Sequence, residues 1–403
     1  MVRKARRVFT LLGPAFVAAV AYVDPGNFAA NFSAGAEYGY ALLWVLVFAN
    51  LMASLVQFLS AKVGLVTGMS LPEVIATKLG RKSRIAYWIQ AELVAVATDL
   101  AEVIGGAIAL NLLFNLPLLA GAVITGIVSL ALLLIYNYRG QKIFERVIVG
   151  LLLIIPIGFF VGLWISPPDA SGVVAGLVPQ LRSTDMLLLA VAMLGATVMP
   201  HVIYLHSALS RDRHGKVSKK NLSELLRATR FDVGAAMVVA GAVNISMLLL
   251  AASALRGMPS TDSLEGIFAA LDVTIGPLVA WLFGLSLLVS GFASTTVGSH
   301  AGAVIMEGLI NRRVPLLVRR VVTIIPAVII VAIGIDPTRA LIVSQVALSI
   351  GIPFALIPLL LVTASKKIMG EAVNAPFITV ILALSTTIIV ALNIVLIGLT
   401  ILG

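Results

Sequence analysis

The chain contains no cysteine in 403 residues. Disulfides, iron–sulfur clusters and thiolate metal sites are therefore excluded. Any metal must be held by oxygen, nitrogen or thioether sulfur. Charge is also scarce: Asp, Glu, Lys and Arg make up 11% of the residues, against 60% hydrophobic ones. A water-soluble domain uses about 25% charged residues to cover its surface. This chain cannot cover itself in water, so lipid must be its solvent. The acidic sign is the scarcer, with 18 Asp and Glu against 28 Lys and Arg and a net charge of +10.

What is abundant is long apolar runs. A bilayer core takes about 20 apolar residues per helix, and eleven candidate spans follow: roughly 8–32, 40–66, 84–114, 117–137, 143–166, 184–210, 229–255, 271–309, 318–335, 338–364 and 374–402. The start resembles a secretory signal, with Arg3, Lys4, Arg6 and Arg7 ahead of an apolar stretch. Asp24, Pro25 and Asn27 stand where cleavage would want small residues, so a retained first helix is expected. With the N-terminus in the cytoplasm, only Arg182, Arg256 and Arg339 of the 28 basic residues fall outside. The expected topology is thus a multi-pass protein of the cytoplasmic (inner) membrane with its C-terminus outside. The positive charge marks topology and is no footprint for nucleic acid.

Five spans carry a proline near the middle. Pro156, Pro326 and Pro353 have apolar neighbours and read as kinks, whereas the prolines of two spans have polar or sulfur-bearing neighbours. The first reads Ala21-Tyr22-Val23-Asp24-Pro25-Gly26-Asn27, the sixth Ala196-Thr197-Val198-Met199-Pro200-His201. Proline removes a backbone donor and clashes with the preceding turn. Pro25 with Gly26, and Pro200, are therefore expected to interrupt their helices, although proline kinks alone are common in membrane spans. Unwound backbone at membrane depth is tolerated only in protein or around a cavity. The two breaks lie five spans apart, and a five-span unit repeated once must be inverted because five is odd. Interrupted helices in corresponding places of inverted halves point to a site at the midplane.

The chemistry beside the breaks suits a cation. A carboxylate at the depth of Asp24 costs about 2.5–3.5 kcal/mol on insertion scales, which a bound cation would offset. Asn27 adds an amide oxygen, and interruption frees carbonyls, with Ala21 and Ala196 well placed. Met199 adds a thioether. Mg2+ and Ca2+ want all-oxygen shells, whereas Mn2+, Fe2+, Co2+ and Cd2+ can use a sulfur. Most methionines are gap-fillers in packed helices; the position of Met199 directly before the mid-span Pro200 favours the ligand reading.

The third span holds three further acids, Glu92, Asp99 and Glu102. At 100° per residue, Asp99 lies about 20° and Glu102 about 80° from the line of Glu92, so the three share a stripe about 15 Å long. Such a stripe marks a proton relay or a structural ion-pair network. Arg319 and Arg320 of the ninth span are the available partners. His201, just past the second break, can titrate near neutral pH.

Asp24-Pro25-Gly26-Asn27 and Met199-Pro200-His201 resemble the two signature motifs of the NRAMP family of divalent metal transporters. The flanks Gly13-Pro14-Ala15-Phe16 and Tyr204-Leu205-His206-Ser207-Ala208 are similar to that family too. So is the stretch from Gly291 to Gly308, although Ala303 replaces its usual glutamine. The resemblance covers essentially the whole chain. It implies an all-α LeuT-type fold of eleven transmembrane helices, an inverted 5+5 repeat plus one, with helices 1 and 6 broken. The units would be 1–166 for the first five helices, 167–210 for an outer loop and the sixth helix, 184–364 for the second repeat, 211–230 for a basic cytoplasmic loop and 365–403 for the last helix.

The resemblance also implies proton-linked uptake of Mn2+ or Fe2+ by alternating access, extending to Co2+ and Cd2+, by a monomer whose partners are metal ions, protons and the bilayer. No separate cofactor is implied. The implied metal ligands are Asp24, Asn27, Met199 and the carbonyls of Ala21 and Ala196, joined by Gln345 in occluded states. Asp99 and Glu102 with Arg319 and Arg320 would form the proton exit, and Asp24 the point of proton uptake. The competing readings are an amino-acid or other small-cation transporter on the same fold, a channel, or a membrane metalloenzyme; for the last the sequence offers no His-Glu-x-x-His and no nucleophile motif.

Overall fold

A computed structural model describes residues 13–215, 217 and 219–402. Arg3, Lys4, Arg6 and Arg7, the first residues of the predicted first span, and Lys216 of the basic loop lie outside them. The described residues are helical throughout, with no strand. In chain order the helices are α1 (Pro14–Ala21), α2 (Pro25–Tyr38), α3 (Leu43–Thr67), α4 (Leu71–Ala76), α5 (Arg81–Phe114), α6 (Leu118–Arg139), α7 (Gln141–Ile165), α8 (Ala170–Gly176), α9 (Thr184–Thr197), α10 (Pro200–His214), α11 (Lys219–Ala254), α12 (Leu264–Thr274), α13 (Pro277–Ile310), α14 (Leu316–Ala332), α15 (Pro337–Thr363), α16 (Lys366–Met369) and α17 (Pro376–Leu402).

Nine spans among the described residues are long and apolar enough to cross a membrane, counting α9 with α10 as one. The other two predicted spans are accounted for by their chemistry. The first is divided into α1 and α2, of 8 and 14 residues, each too short to cross alone. The ninth, α14, has 17 residues and carries two arginines. Its outer face exposes Val318, Val321, Val322, Ile325 and Ile329, while its inner face buries Arg319, Arg320, Thr323 and Ala327. Apolar outside and charged inside is the arrangement of a helix solvated by lipid.

The repeat is visible in which helices touch. Five spans on, α2 corresponds to α10 and α3 to α11. Accordingly α2 packs on α11, and α10 packs on α3. The same exchange relates the α5–α15 contact to the α13–α7 contact, and α1–α11 to α9–α3. The helices that map onto each other across the axis, α5 and α13, share the most extensive interface. They cross backbone to backbone: a Cβ added at Gly291 would stand 3.0 Å from the amide nitrogen of Gly106. Between the repeats, the predicted outer loop folds the short helix α8. The Asp169 side chain caps it, accepting from the Gly172 amide at 2.7 Å and the Ser171 hydroxyl at 2.6 Å. Those bonds hold its carboxyl below the usual range.

Candidate functional site

The interruptions follow from one rule of helix hydrogen bonding. Each carbonyl accepts from the amide four residues on. For Ala21 that residue is Pro25, and for Ala196 it is Pro200, and proline has no N–H. Both carbonyls are thereby released from their helices. The registers match residue for residue, Ala21-Tyr22-Val23-Asp24-Pro25 against Ala196-Thr197-Val198-Met199-Pro200. In each case the proline is the first residue of a new helix, where a fixed φ and a missing donor do no harm. The prolines therefore begin helices rather than kink them. Gly26 corrects the expectation that it helps unwind the backbone: it lies within the first turn of α2. It leaves room for the side chain of Gln345, which a Cβ there would overlap.

Asp24 and Met199 occupy the residue just before each new helix, both fully buried. The Asp24 carboxylate caps α2, accepting from the Asn27 amide nitrogen at 2.8 Å. It also meets the positive end of the helix dipole. The Asn27 side-chain amide ties the breaks together, donating to Asp24 Oδ1 at 2.7 Å and to the Ala196 carbonyl at 3.2 Å. Gln345 of α15 donates to Asp24 Oδ2 at 3.3 Å. The structure thus gathers Asp24, Asn27, Ala196 and Gln345 into one hydrogen-bonded cluster, with Ala21 the counterpart of Ala196 and Met199 the counterpart of Asp24 in the register of the breaks.

The cluster holds oxygens that accept nothing. Asn27 Oδ1 and Gln345 Oε1 are buried without a hydrogen-bond donor, a state that buried polar atoms rarely keep without a reason. Two partnerless amide oxygens, one carboxylate and freed carbonyls are acceptors only, and such a set suits a cation. Among the described residues no three His, Asp or Glu side chains gather as a metal site. The acceptors of the cluster are thus mostly neutral oxygens, with a single formal charge on Asp24.

The acid stripe on α5 is organised by α14, but not uniformly. Arg319 pairs with Glu92 at 2.6 Å. Arg320 pairs with Asp99 at 2.9 Å and also bonds Ser129 at 2.7 Å and Thr295. The carboxyl group of Glu102, fully buried beside Gly298 of α13, lies next to that of Asp99, but no arginine pairs with it directly among the described residues. His201 faces the same stripe from α10. Its Nδ1 lies 3.3 Å from the Thr98 hydroxyl, next in sequence to Asp99, and its Nε2 is buried without a partner. His201 therefore links the start of α10, just past the second break, to α5.

Several residues that position the site went unread in the sequence. Asn244 of α11 donates to the Tyr22 carbonyl at 2.7 Å and accepts from Asn31 at 2.8 Å. Ser290 of α13 donates to the Val23 carbonyl. Asp232 of α11 accepts from the Gly13 and Ala15 amides at 3.2 Å, capping α1 from outside its own helix. The available signal was polarity inside an apolar span, which Asn244 and Asp232 share with Asp24, but they lack a neighbouring proline to single them out.

A membrane bundle with two discontinuous helices in matching registers, joined at mid-depth by an acceptor-rich cluster, belongs to the class of secondary transporters. A solved nucleobase-cation-symport-1 family transporter in a closed conformation shares the fold, with TM-score 0.60 at 15% identity over 88% of this chain and 78% of that one. More particularly, residues 15–399 match the model of the natural resistance-associated macrophage protein-like (Nramp) family, and the chain belongs to that family. It is 55% identical to the divalent metal cation transporter MntH of Mycobacterium tuberculosis over 98% of this chain and 92% of that protein. It is also similar to the crystal structure of the Eremococcus coleocola manganese transporter in complex with an aromatic bis-isothiourea substituted compound, with TM-score 0.87, 31% identity, and coverage of 97% and 86% of the two chains. The chain is a membrane transporter, not an enzyme, of a family whose named relatives carry divalent metal.

Proposed function

We propose that this protein imports Mn2+ or Fe2+ across the cytoplasmic membrane together with protons, by alternating access, with Co2+ and Cd2+ as further substrates. The observation that carries the reading is the pair of breaks in one register, which places a carboxylate and a thioether at equivalent ends. The ion would be held by Asp24, Asn27, Met199 and the carbonyls of Ala21 and Ala196, with Gln345 closing over it from α15. One charge and one soft donor disfavour Mg2+ and Ca2+, which bind best in all-oxygen shells. The names of the relatives support divalent metal as the cargo.

A metal-bound carboxylate is held ionised, so metal binding displaces a proton from Asp24. Asp24 is then the point where the proton enters the route. The route onward runs past His201 and Glu102 to Asp99 and Glu92, whose paired Arg320 and Arg319 form the exit. Glu102, which forms no ion pair of its own among the described residues, is the carboxyl on this route best suited to carry a proton as a neutral acid. The N-terminus and basic loops face the cytoplasm in this reading. Every residue invoked comes from one chain, so a monomer suffices.

Purified protein in liposomes tests this. Mn2+ and Fe2+ are expected to compete with each other for saturable uptake, Ca2+ and Mg2+ to compete poorly, and an inward proton gradient to accelerate uptake. Non-saturating flux, or flux indifferent to the gradient, would contradict the proposal.

A further inference from the structure

Away from the transport site, a lateral cleft of about 550 Å3 opens where α3, α11 and the start of α17 meet. Its walls are apolar, including Leu55, Phe58, Phe377 and Ile378, and Phe377 is 62% exposed at its mouth. Two cations line it. Lys62 of α3 is buried at 8% exposure, yet its only described partner is neutral: the ammonium donates to Asn374 Oδ1 at 2.8 Å. Asn374 is itself fixed, donating through its side-chain amide to Thr363 at 2.9 Å. Arg230 of α11 lies with its guanidinium 4.9 Å from the Phe58 ring centroid. Neither cation forms an ion pair among the described residues, although six such pairs occur elsewhere.

A buried cation such as Lys62 at the edge of an apolar cleft is costly without an anion, and the exposed Arg230 at the rim adds a second positive charge. The cleft lies at the ends of α3 and α11 that adjoin the basic loops, so its cations sit near one headgroup layer while its walls run toward the hydrocarbon. Basic pockets between spans at this level are suited to anionic headgroups. We propose that this cleft binds one anionic phospholipid: its phosphodiester between Lys62 and Arg230, and an acyl chain along Leu55, Phe58, Phe377 and Ile378. The ammonium has two further donors beyond the Asn374 bond, enough to reach a phosphate oxygen. A free phosphate would satisfy the cations but leave the apolar walls uncovered, which is why a lipid fits better. An occupant there would bridge α11 of one half to α3 of the other and to α17.

Native mass spectrometry of the detergent-purified protein tests this, with phosphatidylglycerol and phosphatidylcholine of identical acyl chains as probes. The first phosphatidylglycerol is expected to bind about 10- to 30-fold more tightly than phosphatidylcholine, the size expected for two basic residues near a headgroup. That preference should fall by the same factor in Lys62→Gln/Arg230→Gln, and inorganic phosphate at equal concentration should not displace the lipid. Equal binding of the two lipids, an unchanged preference in the variant, or displacement by inorganic phosphate would each overturn the proposal. If the double variant is not monodisperse, Arg230→Gln alone carries the test with a fall of about fivefold, because Arg230 has only the Phe58 ring as a described side-chain partner.

Discussion

Asp24 does two jobs with one carboxylate: it caps α2 through the Asn27 amide and offers a charge to the break. The jobs can be separated. Asparagine caps a helix about as well as aspartate, so Asp24→Asn should keep the fold and its melting temperature to within a few degrees. It removes the one formal charge of the cluster, so Mn2+ uptake in proteoliposomes should fall to background. Near-normal uptake by a well-folded Asp24→Asn protein would remove Asp24 from the site. Asp24, Asn27 and Met199 were legible because a polar or sulfur atom beside a mid-span proline is a rare combination. Ala21 and Ala196 are legible by counting four residues back from each proline. Asn244, Ser290 and Asp232 were not, because what they bond is backbone of a distant helix, and only the packing of α11 and α13 on the breaks brings them there.

At the scale of helices, the interruption of α9 from α10 rests on a single missing N–H. Pro200→Ala supplies that donor opposite the Ala196 carbonyl, and alanine is the best helix former. The two segments should then run on as one helix and the carbonyl should be lost as a ligand. Uptake is expected to drop at least about tenfold, the low end of the loss seen when groups that merely orient a metal's ligands are changed, while thermal stability holds or rises. Full uptake by Pro200→Ala would show that the break is incidental. The order of spans was readable from apolar run length and the side of the basic residues. What the runs could not give was the pairing across α5 and α14. A helical wheel places Glu92, Asp99 and Glu102 on one stripe. It does not say that Arg319 takes Glu92, that Arg320 takes Asp99, or that Glu102 is left against the small residues of α13. That outcome depends on how far α14 is displaced along α5.

For the whole molecule, the matching contacts of the two halves imply that each half can exchange roles with the other, which is the geometric basis for opening to either side in turn. Which side is which rests on the basic residues, and the absence of cysteine makes this easy to check. Single cysteines at Ser171, beside the cap of α8, and at Ser223, in the exposed first turns of α11, would be the only thiols in the molecule. In intact cells a membrane-impermeant maleimide should label Ser171→Cys and should label Ser223→Cys only after permeabilisation. The opposite pattern would invert the topology, and with it the direction of transport proposed above.

The central claim is that one ion is shared between the two breaks, with oxygen from the first and sulfur from the second. X-ray absorption at the metal edge of the Cd2+-loaded protein measures this most directly, because with no cysteine present any sulfur beside the ion is a methionine. The expected spectrum contains one sulfur among oxygen neighbours, and the sulfur disappears in Met199→Ala. An all-oxygen shell in the unaltered protein, or a sulfur that survives Met199→Ala, would contradict the account.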